Sequence, residues 1–211
     1  MLSLRQVVGR QDPEGSMLTE YQQQLRDRVL SAPVMPAPPS WRPVFSARTP
    51  IGGLQGVGFA SDPHTGDDLV MVVSMDGHGL FNAATGEKVA RDRNPDPDSS
   101  TPDAVPDLSC PGLGPVAGQR IRIAGLFGGG LHATTYDGWS VDVVSPEWPH
   151  HRVLLAADGG LYRRPAGENW WHIFHADYSE LRVAGFSPSG RTLAVATSSD
   201  LTLWNRTDAE L

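Results

Sequence analysis

The sequence lacks the features that mark disulfide-bonded, zinc-binding and membrane-spanning proteins. It has a single cysteine, Cys110, so the chain cannot form an internal disulfide or a cysteine-rich zinc site. No segment approaches the roughly 18 consecutive apolar residues of a transmembrane helix. The first residues, MLSLRQVVGR, also lack the apolar core of a secretory signal peptide. These absences predict a soluble cytoplasmic protein that does not contact a membrane.

Positive charge is scarce as well. Lys88 is the only lysine among 17 basic residues, and the formal net charge is −7. Because phosphate backbones repel an acidic chain, we expect no nucleic-acid partner. The preference for arginine over lysine is typical of GC-rich codon usage, and it indicates a high-GC bacterium.

Motifs of the common enzyme classes are also missing. The sequence contains no GxSxG, HExxH or Walker pattern, and the glycines of GLFGGGLHA are not arranged as GxGxxG before a helix. The sequence therefore predicts a protein that is not an enzyme and that needs neither a cofactor nor a metal.

Glycine and proline, in contrast, are abundant. The 23 glycines and 18 prolines suit many short strands joined by tight turns better than long helices. One such arrangement is visible in VAGFSPSGRTLAVATSSDLTLWNR, residues 183–206. An apolar run is followed by a Ser-Pro turn, a strand of small and β-branched residues at 192–197, a turn at Asp200 and an alternating strand. This pattern predicts an antiparallel, all-β structure.

The same pattern recurs upstream in more degenerate form. Further copies are VGFASDPHTGDDLVMVVSMDGHGLFN at 57–82, IRIAGLFGGGLHATTYDGWSVDVV at 121–144 and VVSPEWPHHRVLLAADGGLYRR at 143–164. In the last of these we expect a turn at Ser145-Pro146 and strands at 153–157 and 161–163. Because SVDVV at 140–144 is shared by two copies, one unit is expected to be incomplete.

These segments resemble blades of the WD-repeat β-propeller family, over roughly residues 41–211. The resemblance implies a small propeller-like domain of about four blades. Such propellers commonly close when an N-terminal strand completes the last blade. We expect the extended segment Trp41–Phe45 to do so within the same chain, because the last strand would otherwise expose an apolar edge. Residues 91–115, with six prolines, are expected to form a flexible insertion.

Residues 1–40 form a separate N-terminal arm. The sequence predicts a helix over 16–31, capped by Ser16 and followed by the proline-rich linker APVMPAPP. Its narrow apolar stripe either packs on the side of the propeller or contacts a second protein or subunit. The residues of this stripe are the candidate partner contacts: Leu18, Tyr21, Leu25 and Val29.

Tryptophan and histidine cluster in two segments, WPHH and WWHIFH. The candidate ligand-binding residues are Trp148, His150, Trp170, His172 and Asp177. Because His172 and His175 are three residues apart, a regular strand would place them on opposite faces, where they cannot share a metal. Tryptophans in such folds also serve as packing between blades.

Two hypotheses for function follow. The first is a non-enzymatic module for protein–protein interaction or scaffolding, which binds another protein or a second copy of itself. The alternative is a small-molecule or carbohydrate binder, or a hydrolase, that uses a central or top-face pocket. That alternative depends on fold analogy.

Overall fold

The C-terminal repeat forms an antiparallel sheet. The computed structural model describes residues 18–103, 107–160 and 162–207. In this C-terminal sheet, β13 (Leu181–Phe186), β14 (Thr192–Thr197) and β15 (Asp200–Arg206) pair in sequence order. The bounds of β14 coincide with the strand predicted at 192–197. All of its side chains are buried.

An N-terminal strand completes this sheet within the same chain, as predicted. β1 (Trp41–Pro43) pairs with the end of β15, and β2 (Thr49–Pro50) pairs with its beginning. Trp41 is only 1% exposed. Its ring lies 5.3 Å from that of Phe186 and 5.8 Å from that of Trp139, centroid to centroid. The edge of β15 is therefore covered, and the segment that covers it is anchored in the core.

A second sheet, the N-terminal sheet, follows from the copy at 57–82. It contains β3 (Leu54–Ser61), β4 (Asp68–Ser74), β5 (Gly77–Asn82) and β6 (Lys88–Asp92), in the spatial order β6-β5-β4-β3. β4 is buried along its whole length, as its apolar sequence DLVMVVS leads one to expect.

The middle sheet differs from its expected pattern. It consists of β10 (Ser140–Glu147), β11 (His150–Ala156) and β12 (Trp170–Ala176). Ser145-Pro146 lies inside β10 and is not the turn. The chain turns at Trp148-Pro149. Pro146 is tolerated within β10 because β10 is an edge strand, where a missing N–H breaks no ladder hydrogen bond. The strand predicted at 161–163 is wrong for residues 162 and 163, since Tyr162 has a positive φ of 44° and the third strand begins at Trp170; Leu161 lies outside the described residues.

Residues 121–144 do not form a sheet of their own. β7 (Ser109–Pro111) and β8 (Arg120–Arg122) make a two-stranded ribbon, and β9 (Ala124–Gly125) joins the edge of β3. The positive φ angles of Gly128 and Gly129 turn the chain before a longer strand can form. The described residues thus form several antiparallel sheets, three of them large, which confirms the all-β class.

The insertion at 91–115 is partly packed. Its first two residues belong to β6, and its second half includes β7 and a 3₁₀ turn at Gly114–Val116. Cys110 and Val116 are fully buried against the N-terminal sheet. The second half of this segment is therefore part of the core, while residues 104–106 are not among those described.

In the described part of the chain, one α-helix, α1 (Glu20–Ser31), precedes the sheets. It begins later than predicted because Thr19 caps it. The Thr19 hydroxyl accepts from the Gln22 N–H, and the Gln22 side chain accepts from the Thr19 N–H. The predicted cap, Ser16, lies outside the described residues. Among the residues that are described, no helix has the length and apolar character needed to cross a bilayer.

A buried carboxylate joins the N-terminal and C-terminal sheets. Asp68, at the start of β4, accepts hydrogen bonds from Ser187 at 2.7 Å, Ser189 at 2.7 Å and Thr192 at 2.9 Å, all to one oxygen. Ser187 and Thr192 are buried; Asp68 accepts from both hydroxyls, and the Thr192 hydroxyl also lies 3.0 Å from the Asn205 side-chain oxygen.

We expect Trp41→Ala to destabilise the protein by about 3–5 kcal/mol, because it removes a large buried side chain from the closing strand. Urea unfolding measures the change. Arg42→Ala, at the exposed neighbouring position, is the matched control and should stay within about 0.5 kcal/mol of the wild type. A Trp41→Ala protein as stable as the control would mean that β1 does not hold the sheet closed.

Asp68→Ala should cost about 2–4 kcal/mol, because it removes the oxygen that accepts from three hydroxyls, among them that of the buried Ser187. Thermal or urea unfolding again provides the measurement. The control is Asp67→Ala, since the Asp67 side chain makes no hydrogen bond with a described residue. Equal losses in the two variants would contradict the assigned role of Asp68.

Candidate functional site

The face of the middle sheet that contacts α1 carries most of the predicted site residues. Leu154 and Ala156 of β11 pack on this face against Val29 of the helix and against Trp170 of β12. Since side chains alternate along a strand, His150 and Arg152 project to the same side as Leu154. An apolar patch at one end of this face is therefore followed by a charged group at the other.

Arg152 holds the C-terminal end of α1. Its Nη1 lies 3.1 Å from the carbonyl oxygen of Val29, 3.4 Å from that of Leu30 and 3.5 Å from that of Ala32. These carbonyls belong to the last turn of a helix, where the macrodipole is negative and a cation is stabilising. Glu147, 3.8 Å away, balances the charge of the buried guanidinium.

A β-bulge in β12 brings two histidines to this same face. Phe174 pairs with Val153 and His172 with Leu154, so Ile173 is an extra residue without a partner. The rings of His172 and His175 lie 5.9 Å apart, centroid to centroid. The expectation that they point to opposite faces is therefore wrong, because the bulge breaks the two-residue alternation on which it was based.

His172 binds the residue that follows α1. Its Nδ1 donates to the Ala32 carbonyl at 2.9 Å, and the residue is 1% exposed. Its Nε2 is buried and has no hydrogen-bond partner among the described residues. A carbonyl can only accept, so this geometry fixes the neutral tautomer with the proton on Nδ1. Burial lowers the pKa of His172, and the positive charge of Arg152 lowers it further.

His175 connects this group to His150. It lies opposite Arg152 in the β11–β12 pairing, and its ring is 6.0 Å from that of His150. Burial lowers the pKa of His175, with Arg152 acting in the same direction, whereas Asp177 and Glu147 act to raise it.

The remaining predicted residues lie apart from this cluster. Trp170 is buried beneath α1, where its ring packs against Tyr162 and its Nε1 donates to the Arg164 carbonyl. Trp148 is 75% exposed on the β10–β11 turn, and Asp177 is exposed after β12. The structure thus brings His150 and His172 together through His175. It does not bring the five residues into one open pocket, and a role for them in ligand binding stays a prediction.

An apolar groove adjoins this face. A cavity of about 360 Å³ lies between α1, β10, β13 and the segment 130–133. Its lining is largely apolar: Leu25, Val29, Leu131, Val141, Val143 and Val183. The carboxylate of Asp142, also in the lining, accepts a hydrogen bond from the Tyr162 hydroxyl. Burial raises the pKa of Tyr162, and the charge of Asp142 raises it further, so the phenol stays protonated.

Two potential nucleophiles of the described residues, Ser145 and Cys110, are not set up for catalysis. Ser145 Oγ lies 2.6 Å from His151 Nδ1, yet no described carboxylate hydrogen-bonds the other ring nitrogen of His151, so the third member of a triad is missing. Burial raises the pKa of the Cys110 thiol to about 11, which keeps it protonated at neutral pH. Within the described ranges, no group of three His, Cys, Asp or Glu residues could hold a metal ion.

Sequence patterns did not point to Arg152, Asp142 or Tyr162. The one available signal was Arg152 itself, a charged residue directly before the apolar run VLLA at 153–156. A charge at a buried strand position requires a partner. That partner is more than one hundred residues earlier in the chain and does not show in any local pattern.

Comparison of the chain with protein-family models, curated proteins and solved structures found no match.

We expect the free energy of unfolding to fall as the pH drops from about 7 to 5. Since the folded state lowers the pKa values of His172 and His175, the unfolded state binds more protons in acid. The stabilising contribution is complete above about pH 6.5, the ordinary histidine pKa, and is lost as the pH falls towards the folded values. Urea unfolding at a series of pH values measures it.

His172→Gln should show a smaller loss of stability in acid than the wild type. The control is His64→Gln, at an exposed position on the β3–β4 turn, which should keep the wild-type pH dependence. Hydrogen exchange should also show earlier exposure of the α1 amides in acid. An equal acid response in both variants would contradict the role of His172.

Proposed function

We propose that the protein is a non-enzymatic module for protein–protein interaction, built as a small WD-repeat-like propeller. The order of strands supports this architecture. The first strands of the three repeats are β3, β10 and β13. They lie where the large sheets meet, because β13 contacts both β3 and β10. Closure of the last sheet by β1 supports it as well, because it is the closure expected of such folds.

The observation that carries the functional proposal is the continuity of an apolar surface. Leu25 and Val29 of the helical stripe line the groove. Leu18, which precedes the helix cap Thr19, and Tyr21, in the first turn of α1, are 45% and 69% exposed. Val143, on the groove wall, is exposed too. Apolar side chains left in contact with water on a continuous surface mark interaction sites more often than isolated ones do.

The chemistry around this surface favours binding over catalysis. Asp142 is the acidic group of the groove, and it accepts a hydrogen bond from the protonated Tyr162. Ser145 and His151 lie outside the groove lining and lack an orienting acid. The proposed partner is another protein, or a second copy of this chain, that presents an apolar segment to the groove and to the exposed turn of α1.

Affinity capture with the full chain from a lysate of the source organism tests the proposal, together with light scattering to detect self-association. We expect one stoichiometric partner or a dimer. Tyr21→Glu should weaken this association by about tenfold or more, since it places a charge in an apolar contact. It should leave stability unchanged because Tyr21 is exposed.

Gln24→Glu is the matched control, because it adds the same charge on α1 outside the apolar stripe. It should leave the association intact. Absence of any stoichiometric partner and of self-association would count against an interaction module. An association that survives Tyr21→Glu would count against this surface.

A further inference from the structure

A second cleft lies on the N-terminal sheet and shares no lining residue with the groove. It has a volume of about 230 Å³ and is bounded by β2 and the residues after it on one side, and by β4, β5 and β6 on the other. Val72 and Phe81 are its buried apolar members, and Thr49 adds a hydroxyl at the rim. Lys88 and Arg91 contribute positive charge.

A β-bulge places both cations on one side of β6. Phe81 pairs with Lys88 and Leu80 with Ala90, so Val89 is an extra residue in β6. On a regular strand, Lys88 and Arg91 would point to opposite faces because they are three residues apart. The bulge removes that alternation. Arg91 lies opposite Gly79, and the edge of the Phe81 ring lies over that glycine, so Lys88, Phe81 and Arg91 share one side of the sheet.

Neither cation is neutralised by a carboxylate. Lys88 Nζ lies 5.5 Å from the centre of the Phe81 ring, and Arg91 Nη2 is 3.4 Å from the backbone oxygen of Asp76. Among the described residues, no carboxylate oxygen lies within 4 Å of either group. Asp76 is the one carboxylate of the lining, against two cations. This local excess of positive charge stands in a chain whose net charge is −7.

We infer that this cleft binds a small phosphomonoester with an apolar body. A dianionic phosphate matches the two cations, with the planar guanidinium donating paired hydrogen bonds and the ammonium acting as a point charge. The apolar part of the ligand would contact Phe81 and Ile51, and the size of the cleft limits it to a compact molecule. The inference is independent of the protein partner proposed above, which uses a different surface.

Isothermal titration calorimetry of the full chain with phenyl phosphate tests the inference, with benzoate as the monoanionic comparison. We expect phenyl phosphate to bind more tightly than benzoate, and its affinity to fall with added salt. Lys88→Gln and Arg91→Gln should each weaken binding by about tenfold, the loss expected for one charge-assisted hydrogen bond.

Arg93→Gln is the matched control, since Arg93 is an exposed arginine near the same strand and outside the cleft lining. It should bind like the wild type within about twofold, the scatter expected of a neutral surface change. Unfolding midpoints of all variants verify that each is folded. The inference is overturned by any of three results: no heat of binding for phenyl phosphate at millimolar concentration, equal affinity for benzoate, or an equal loss in Arg93→Gln.

Discussion

The pairing of β1 with β15 is the contact on which the rest of the structure depends. It joins the first strand of the described chain to the last, and it seats Trp41 between Phe186 and Trp139. The chain that leads to this strand crosses the middle sheet, where the Met35 N–H donates to the His172 carbonyl at 2.9 Å. Closure of one sheet therefore fixes the path of the linker over another, and with it the position of α1.

The parts of the fold that could be predicted are those specified by neighbouring residues. β14 was predicted to the residue because its run of small and β-branched side chains lies between two strong turn signals. The turn at Ser145-Pro146 was wrong because the effect of a proline depends on whether its strand is at an edge, which is a property of the sheet. The start of β12 was missed because a loop separates it from β11. In this loop Tyr162 has a positive φ, which nothing in the local sequence indicates.

The candidate site, too, could be predicted only where neighbouring residues specify it. Sequence patterns identified His150, His172 and Trp170 by residue type, and placed them near one another in the chain. The arrangement of their rings depends on a bulge, and alternation arguments assume that there is none. Arg152 gained its role from a helix end that is distant in sequence. Contacts between two side chains could therefore be predicted from the sequence only where both residues lie within one hairpin.

Beside the apolar packing of Val29, α1 is held by contacts to its main chain. Arg152 and His172 bond to carbonyl oxygens at residues 29, 30 and 32, and every residue has such a group. The middle sheet thus binds the polar end of the helix as well as the side chain of Val29. A change of side chain at Leu30 would therefore leave these carbonyl contacts in place, whereas a change at Val29 would also alter the packing beneath the helix.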